Sequence, residues 1–165
     1  VKPPIKTNDY MAHFYEVNIN WTQDRKGIMC SPDINSNLVE KGCVEVATPT
    51  QFNKGIPGIW SPEHLFTAAV SSCLMTTFLA IAENSKLEFT AFACSSKGKL
   101  EQVDGKFLMT EVILEPVVTI ANEEDQDRAL RVLQKSEAAC LISNSIKSKI
   151  TMIPLVKVLI TQVAV

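Results

Sequence analysis

Four side chains in this sequence could do chemistry together: Cys73, Cys140, Glu63 and Arg25. A cysteine attacks through its thiolate, and a thiolate forms readily only in electropositive, partly accessible surroundings. An arginine supplies that charge and keeps it when partly buried. It can also hold a carboxylate with one edge while another edge faces the sulfur. Spacing limits which of these groups can meet. Glu63 precedes Cys73 by ten residues, which is about 15 Å along a helix axis and about 80° around it. The two lie on neighbouring faces and need a long side chain between them. Arg25 is a candidate bridge, although an arginine in a turn is ordinarily a solvated surface charge and spacing does not carry it to the helix. Cys140 follows a second helical segment at the start of another turn, where orphan N–H groups could stabilise a thiolate. Plainer readings stand beside these. A free cysteine in a buried helix is commonly a small hydrophobe, and the helix dipole alone accounts for a glutamate in a first turn.

The element that must hold Cys73 is the stretch from Trp60 to Glu83, extended to about Asn84. Ser61 suits an N-cap, Pro62 the first helical position and Glu63 the first turn. Nearly everything beyond is apolar or small, as in a helix from the middle of a protein. Its polar interruptions, His64, Thr67, Ser71, Ser72, Thr76 and Thr77, argue against a membrane span.

The remaining elements follow from periodicity and turn chemistry. Alternation predicts a strand over His13–Asn20 with one buried face, a turn at Asp24–Gly27, a second strand from Ile28 to Cys30 and a third over Val44–Ala47. Thr48 to Ile59 is a loop punctuated by Pro49, Gly55, Pro57 and Gly58. After the central helix, a hairpin joins Leu87–Glu101 to Lys106–Ala121 through Asp104-Gly105. Asn122 is placed to cap a second helix reaching Ala139, with one more helical turn over Ser143–Ser148. A final strand is expected over Ile150–Val163, with a bulge or edge at Pro154. This order indicates an α+β fold with a mainly antiparallel sheet.

The chain has 165 residues, 46% of them hydrophobic, and a net charge of -2. That suffices for one domain with a sizeable core and lacks the basic face that nucleic acid or an anionic membrane would require. Residues 1–12 are expected to form a flexible leader, with Met11 as a natural start, and residues 13–165 a single domain. The first ten residues contain no apolar signal region. Five cysteines, Cys30, Cys43, Cys73, Cys94 and Cys140, make an odd number with no close pair. A structural disulfide is therefore not expected, and a reducing cytoplasm is the default compartment. No Cys-x-x-Cys pair suggests zinc, and Cys30, Cys43 and Cys94 are assigned to packing.

Three separated segments carry a family resemblance. Ser61-Pro62-Glu63-His64-Leu65-Phe66, with Ala68-Ala69 and Ser72-Cys73, closely resembles the signature of the osmotically inducible protein C and organic hydroperoxide resistance (OsmC/Ohr) family. Ala139-Cys140-Leu141-Ile142-Ser143-Asn144 resembles its second signature, and Arg25-Lys26-Gly27 with Ser31 and Asp33 its arginine turn. The segments appear in the family's order over roughly residues 13 to 160, and Trp60-Ser61-Pro62-Glu63-His64 is closer to the general OsmC-like branch than to Ohr.

The resemblance implies an OsmC-like fold, with mainly antiparallel sheets packed around a long central helix and a second helix, as an intertwined homodimer with its sites at the interface. It implies a thiol peroxidase that reduces organic hydroperoxides, and hydrogen peroxide as a further candidate substrate, in antioxidant defence. Cys73 would be the peroxidatic cysteine, Cys140 the resolving cysteine, Arg25 the activator of the thiolate and Glu63 the residue that orients Arg25. No resident cofactor or metal is implied. An external thiol or dithiol, a lipoyl-type one among the candidates, would be the reductant. The alternatives are a non-enzymatic binding domain on the same fold and a thiol redox sensor signalling through a Cys73–Cys140 disulfide.

Overall fold

The computed structural model describes residues 13–34 and 42–159. The chain divides into two compact units, residues 1–60 and 61–165, each described by itself. The expected leader, residues 1–12, and the end of the expected last strand lie outside the described residues.

The first unit is a three-stranded antiparallel sheet in the order β1 (Asn18–Gln23), β2 (Lys26–Cys30), β3 (Cys43–Ala47). Asp24, at φ +46°, closes the two-residue turn between β1 and β2. This left-handed conformation is one that a short polar side chain tolerates. Gly27 is required where β2 meets β1, because a Cβ there would sit 2.6 Å from the Asn20 carbonyl oxygen. Lys26 pairs with Glu45 on β3 at 2.9 Å. The loop after β3 is tied back by Thr48 N–H to the Arg25 carbonyl at 3.0 Å and by Ala47 N–H to the Trp60 carbonyl at 2.8 Å.

Two expectations fail in this unit. The first strand starts five residues later and ends three residues later than the alternation predicts, and all six of its residues are exposed. Tyr15, Val17, Ile19 and Trp21 do mark one apolar side, but β1 is an edge strand and its apolar side chains stay in solvent. The second failure concerns the cysteines. Cys30 and Cys43 form a disulfide with their Cα atoms 4.1 Å apart, so neither is a free packing residue. They are thirteen positions apart in sequence and come face to face only through the register that pairs β2 with β3. Cysteine usage therefore no longer argues for a reducing compartment.

The second unit begins with α1 (Pro62–Asn84). Ser61 Oγ accepts the His64 N–H at 3.3 Å, and His64 Nδ1 accepts the Ser61 N–H at 3.3 Å, closing a reciprocal cap. Pro62 stands at the first helical position, as expected. By length and composition α1 could cross a bilayer, so its polar residues alone do not disqualify it. One side of it packs as a core helix does, where Val70, Leu74, Phe78 and Ala82 form a buried line.

That line meets a sheet built on β5 (Lys106–Ile120), which pairs antiparallel with β4 (Ala91–Val103) and parallel with β6 (Lys149–Met152) and β7 (Leu155–Val158). The hairpin turn is Asp104-Gly105, at φ +49° and +76°, as the dipeptide predicts. Alternate β5 residues from Val112 to Ile120 are buried. Val112 and Leu114 pack with Val70 and Leu74. Val118 and Ile120 pack with Phe78 and Leu133, the latter from α2 (Gln126–Ala139). Phe78 also stacks on Phe92 with ring centroids 4.9 Å apart.

The α+β class holds, with corrections in detail. The last expected strand is two strands, β6 and β7, broken at Ile153-Pro154 and parallel to β5. Proline interrupts the ladder because it has no N–H to donate. The second helix opens with a single 3-10 turn over Glu123–Asp125, and Asn122 makes no side-chain cap bond. The extra helical turn is α3 (Leu141–Ser145), two residues earlier than expected.

Candidate active site

Cys140 sits at the junction of two helices. It ends α2 and caps α3, and its ψ of 114° breaks the helical path between them. Its own N–H still reaches the Glu137 carbonyl at 3.1 Å, and its carbonyl accepts the Asn144 N–H at 3.0 Å. The break leaves the first N–H groups of α3 without acceptors inside the helix. One of them, from Ile142, points out of its own element and donates to Cys73 Sγ at 3.5 Å. The two cysteines thus share one place: Cys73 from the middle of α1, partly accessible, and Cys140 fully buried beside it.

Their surroundings divide the ionisation between them. Burial pushes the Cys73 thiol up. Hydrogen bonds from the Cys140 side chain, the Ile142 N–H, the Thr77 hydroxyl and the Leu141 N–H outweigh it and hold Cys73 below the ordinary cysteine value. Each of these donors favours the charged sulfur. Cys140 moves the opposite way. Burial pushes it up, and so does giving its hydrogen bond to Cys73, against a smaller pull from the Ser143 side chain and N–H. Of the two sulfurs, Cys73 is the more readily ionised and Cys140 the less.

Glu63 lies in the first turn of α1, where its carbonyl accepts the Thr67 hydroxyl at 2.8 Å. Its carboxylate oxygen Oε2 is buried and makes no hydrogen bond. Arg25 belongs to the other unit. It stands exposed in the β1–β2 turn and, with Asp24, Lys54 and Ile56, lines an open cleft of about 360 Å³. Of the four residues singled out from sequence, the structure brings Cys73 and Cys140 together. Cys94 is a free thiol on β4, packed at the edge of the core around Val70 and Leu74, as a packing residue should be.

Sequence reasoning missed Thr77, Leu141, Ile142 and Ser143. Thr77 stands four residues after Cys73 on one helix face, and Ser143 three after Cys140, the spacing of a cap and its third helical residue. That spacing was readable. The reach of the Ile142 N–H across to another helix was not.

A family model described as OsmC-like protein matches residues 55–153. The chain belongs to this OsmC-like family. YmaD, an uncharacterized protein of Bacillus subtilis, is 24% identical over 143 residues, covering 84% of this chain and 89% of that one. Among solved structures, an OsmC-like protein of unknown function from Vibrio cholerae superposes with a TM-score of 0.73 at 18% identity, covering 87% of this chain and all of the other. An organic hydroperoxide resistance protein OsmC from Legionella pneumophila gives 0.68 at 22% identity, covering 90% and 99%. The OhrB organic hydroperoxide resistance protein of Bacillus subtilis gives 0.60 at 17% identity, covering 88% and 98%. These likenesses establish the OsmC-like fold.

Proposed function

We propose that this OsmC-like protein is a thiol-dependent peroxidase that reduces organic hydroperoxides to alcohols, with hydrogen peroxide as a poorer substrate. The observation that carries the reading is the shared cysteine site, where the Ile142 N–H donates to Cys73 Sγ and Cys140 lies buried at the break that frees that donor. Cys73 thiolate attacks the peroxide oxygen that carries hydrogen. The O–O bond breaks, the alkoxide leaves and takes up a proton, and Cys73 becomes a sulfenic acid. Cys140 then attacks that sulfur, releasing water and forming the Cys73–Cys140 disulfide. An external dithiol restores both thiols by exchange, being itself oxidised to a disulfide.

Arg25 and Glu63 complete the proposal. A buried carboxylate oxygen without a partner, as at Glu63, calls for a donor or cation. The family resemblance makes Arg25 that cation, its guanidinium then favouring the charged forms of sulfur and peroxide. A homodimer is part of the same reading, since α1 and β1 leave large apolar side chains exposed, among them Met75, Leu79, Ile19 and Trp21.

The direct test mixes reduced protein with cumene hydroperoxide and dithiothreitol. Peroxide and dithiol should be consumed one for one, and Cys73→Ser should lose turnover. Full activity in Cys73→Ser would sink the proposal. Rapid oxidation of Cys73 with no turnover by any dithiol would favour a redox sensor instead.

A further inference from the structure

Ser143 is set apart from the other hydroxyl residues around the site. Along α1, the hydroxyls of Thr67, Ser71, Ser72 and Thr76 donate to carbonyls in the preceding turn. Beside Ser143, Ser145 donates to Leu141 and Ser136 to Val132. Ser143 Oγ is closed off from solvent and has no such bond. A buried hydroxyl without a partner is disfavoured unless some state of the protein supplies one. Ser143 stands at the third position of α3, whose N-cap is Cys140, the placing from which a side chain reaches back over its cap residue, and there it favours the Cys140 thiolate. In the reduced protein Cys140 is the harder of the two thiols to ionise, so this donor is least needed there.

We infer that Ser143 is a catalytic residue of the reductive half of the cycle, donating to the Cys140 thiolate released when an external thiol attacks Cys73. The inference rests on the disulfide-forming reading above. In the disulfide, an incoming thiolate can attack either sulfur. Cys140 is fully buried and Cys73 partly accessible, so the entering sulfur bonds to Cys73. The S–S bond breaks, and its electron pair goes to Cys140. Exchange is faster when the departing sulfur is the better stabilised anion. Without a donor, a thiolate in this apolar setting would be a poor leaving group. The Ser143 O–H supplies that donor in the step where the charge appears. A second thiol of the reductant then attacks the mixed disulfide at its own sulfur, freeing the Cys73 thiolate, and Cys140 takes a proton from solvent.

The test measures the two half-reactions separately in the full chain. Wild type, Ser143→Ala and Ser143→Thr are oxidised with one equivalent of cumene hydroperoxide. Disulfide formation is counted by mass spectrometry, and reduction by dithiothreitol is followed in stopped flow. Ser143→Ala should be reduced about three- to tenfold more slowly, a larger loss than in its rate of peroxide consumption. Ser143→Thr, which keeps the hydroxyl, should recover most of the rate. With the monothiol 2-mercaptoethanol, peptide mapping should find the mixed disulfide on Cys73. Equal reduction rates in the three proteins, or a mixed disulfide on Cys140, would overturn the assignment alone. Absence of any Cys73–Cys140 disulfide in oxidised wild type would overturn the peroxidase cycle and this role with it.

Discussion

The Ile142 N–H donates to Cys73 Sγ at 3.5 Å although the two residues are 69 positions apart. The bond exists because the helical path stops at Cys140 and restarts at Leu141. A continuous helix would spend that N–H on the carbonyl four residues back. Breaking it frees a donor, and the donor is turned toward a sulfur on another helix. Such a bond strengthens as the sulfur gains charge, so the break between α2 and α3 contributes to reactivity through the backbone.

Cys73 should therefore titrate below the ordinary cysteine value. Its alkylation by iodoacetamide, followed by peptide mass spectrometry against pH, should reach half its maximal rate below that value. Cys140→Ala removes a donor to the charged sulfur and should move the midpoint up. Cys140→Ser keeps an O–H in place and should move it less. A wild-type midpoint at or above the ordinary value would contradict the arrangement.

Thr77 gives a sharper test, because its hydroxyl reaches Cys73 without taking part in resolution. Thr77→Val keeps the shape and removes the donor. The loss of one hydrogen bond to a charged group should slow peroxide consumption at pH 7 about two- to tenfold. The defect should fade as pH rises, since at high pH Cys73 is a thiolate in both proteins. A defect of constant size across pH would mean that Thr77 matters for packing.

Much of the second unit was legible in the sequence. Ser61-Pro62 set the start of α1, Asp104-Gly105 set the β4–β5 hairpin, and the alternation of β5 gave its buried side. These signals are local: a cap, a turn and a period of two. What failed depended on pairing between distant segments. The exposed β1 looks half-buried by alternation alone, because a period of two marks a face and does not name what covers it. The parallel pairing of β6 and β7 is set by the α2–α3 crossover. The site was half-legible. The motifs named Cys73 and Cys140, while the donors around them depend on the break at Cys140.

The Cys30–Cys43 disulfide is the clearest case of long-range pairing, and it predicts a stability effect. Closing a loop of this length restricts the unfolded chain and should stabilise the fold by about 3 kcal/mol. Cys30→Ser, Cys43→Ser and the double variant should lose a similar amount, because each breaks the same bond. Urea unfolding of the oxidised proteins measures it, and dithiothreitol should bring wild type to the level of the variants. If the reductant leaves the wild-type midpoint unchanged, the disulfide is not holding β2 to β3.

The exposed side of α1 bears on the proposed dimer. Val70, Leu74, Phe78 and Ala82 cover one side of the helix, yet Met75 and Leu79, four residues apart on another side, are 39% and 43% exposed. A helix that is apolar all round normally has cover all round. A second copy of the chain would provide it, burying both residues together. Leu79→Glu puts a charge where that cover would sit, at a desolvation cost the dimer cannot offset. It should shift the protein from dimer to monomer in sedimentation velocity at micromolar concentration. Leu79→Met, which keeps the volume and the apolar character, should remain dimeric. An undisturbed dimer in Leu79→Glu would remove this side of α1 from the interface.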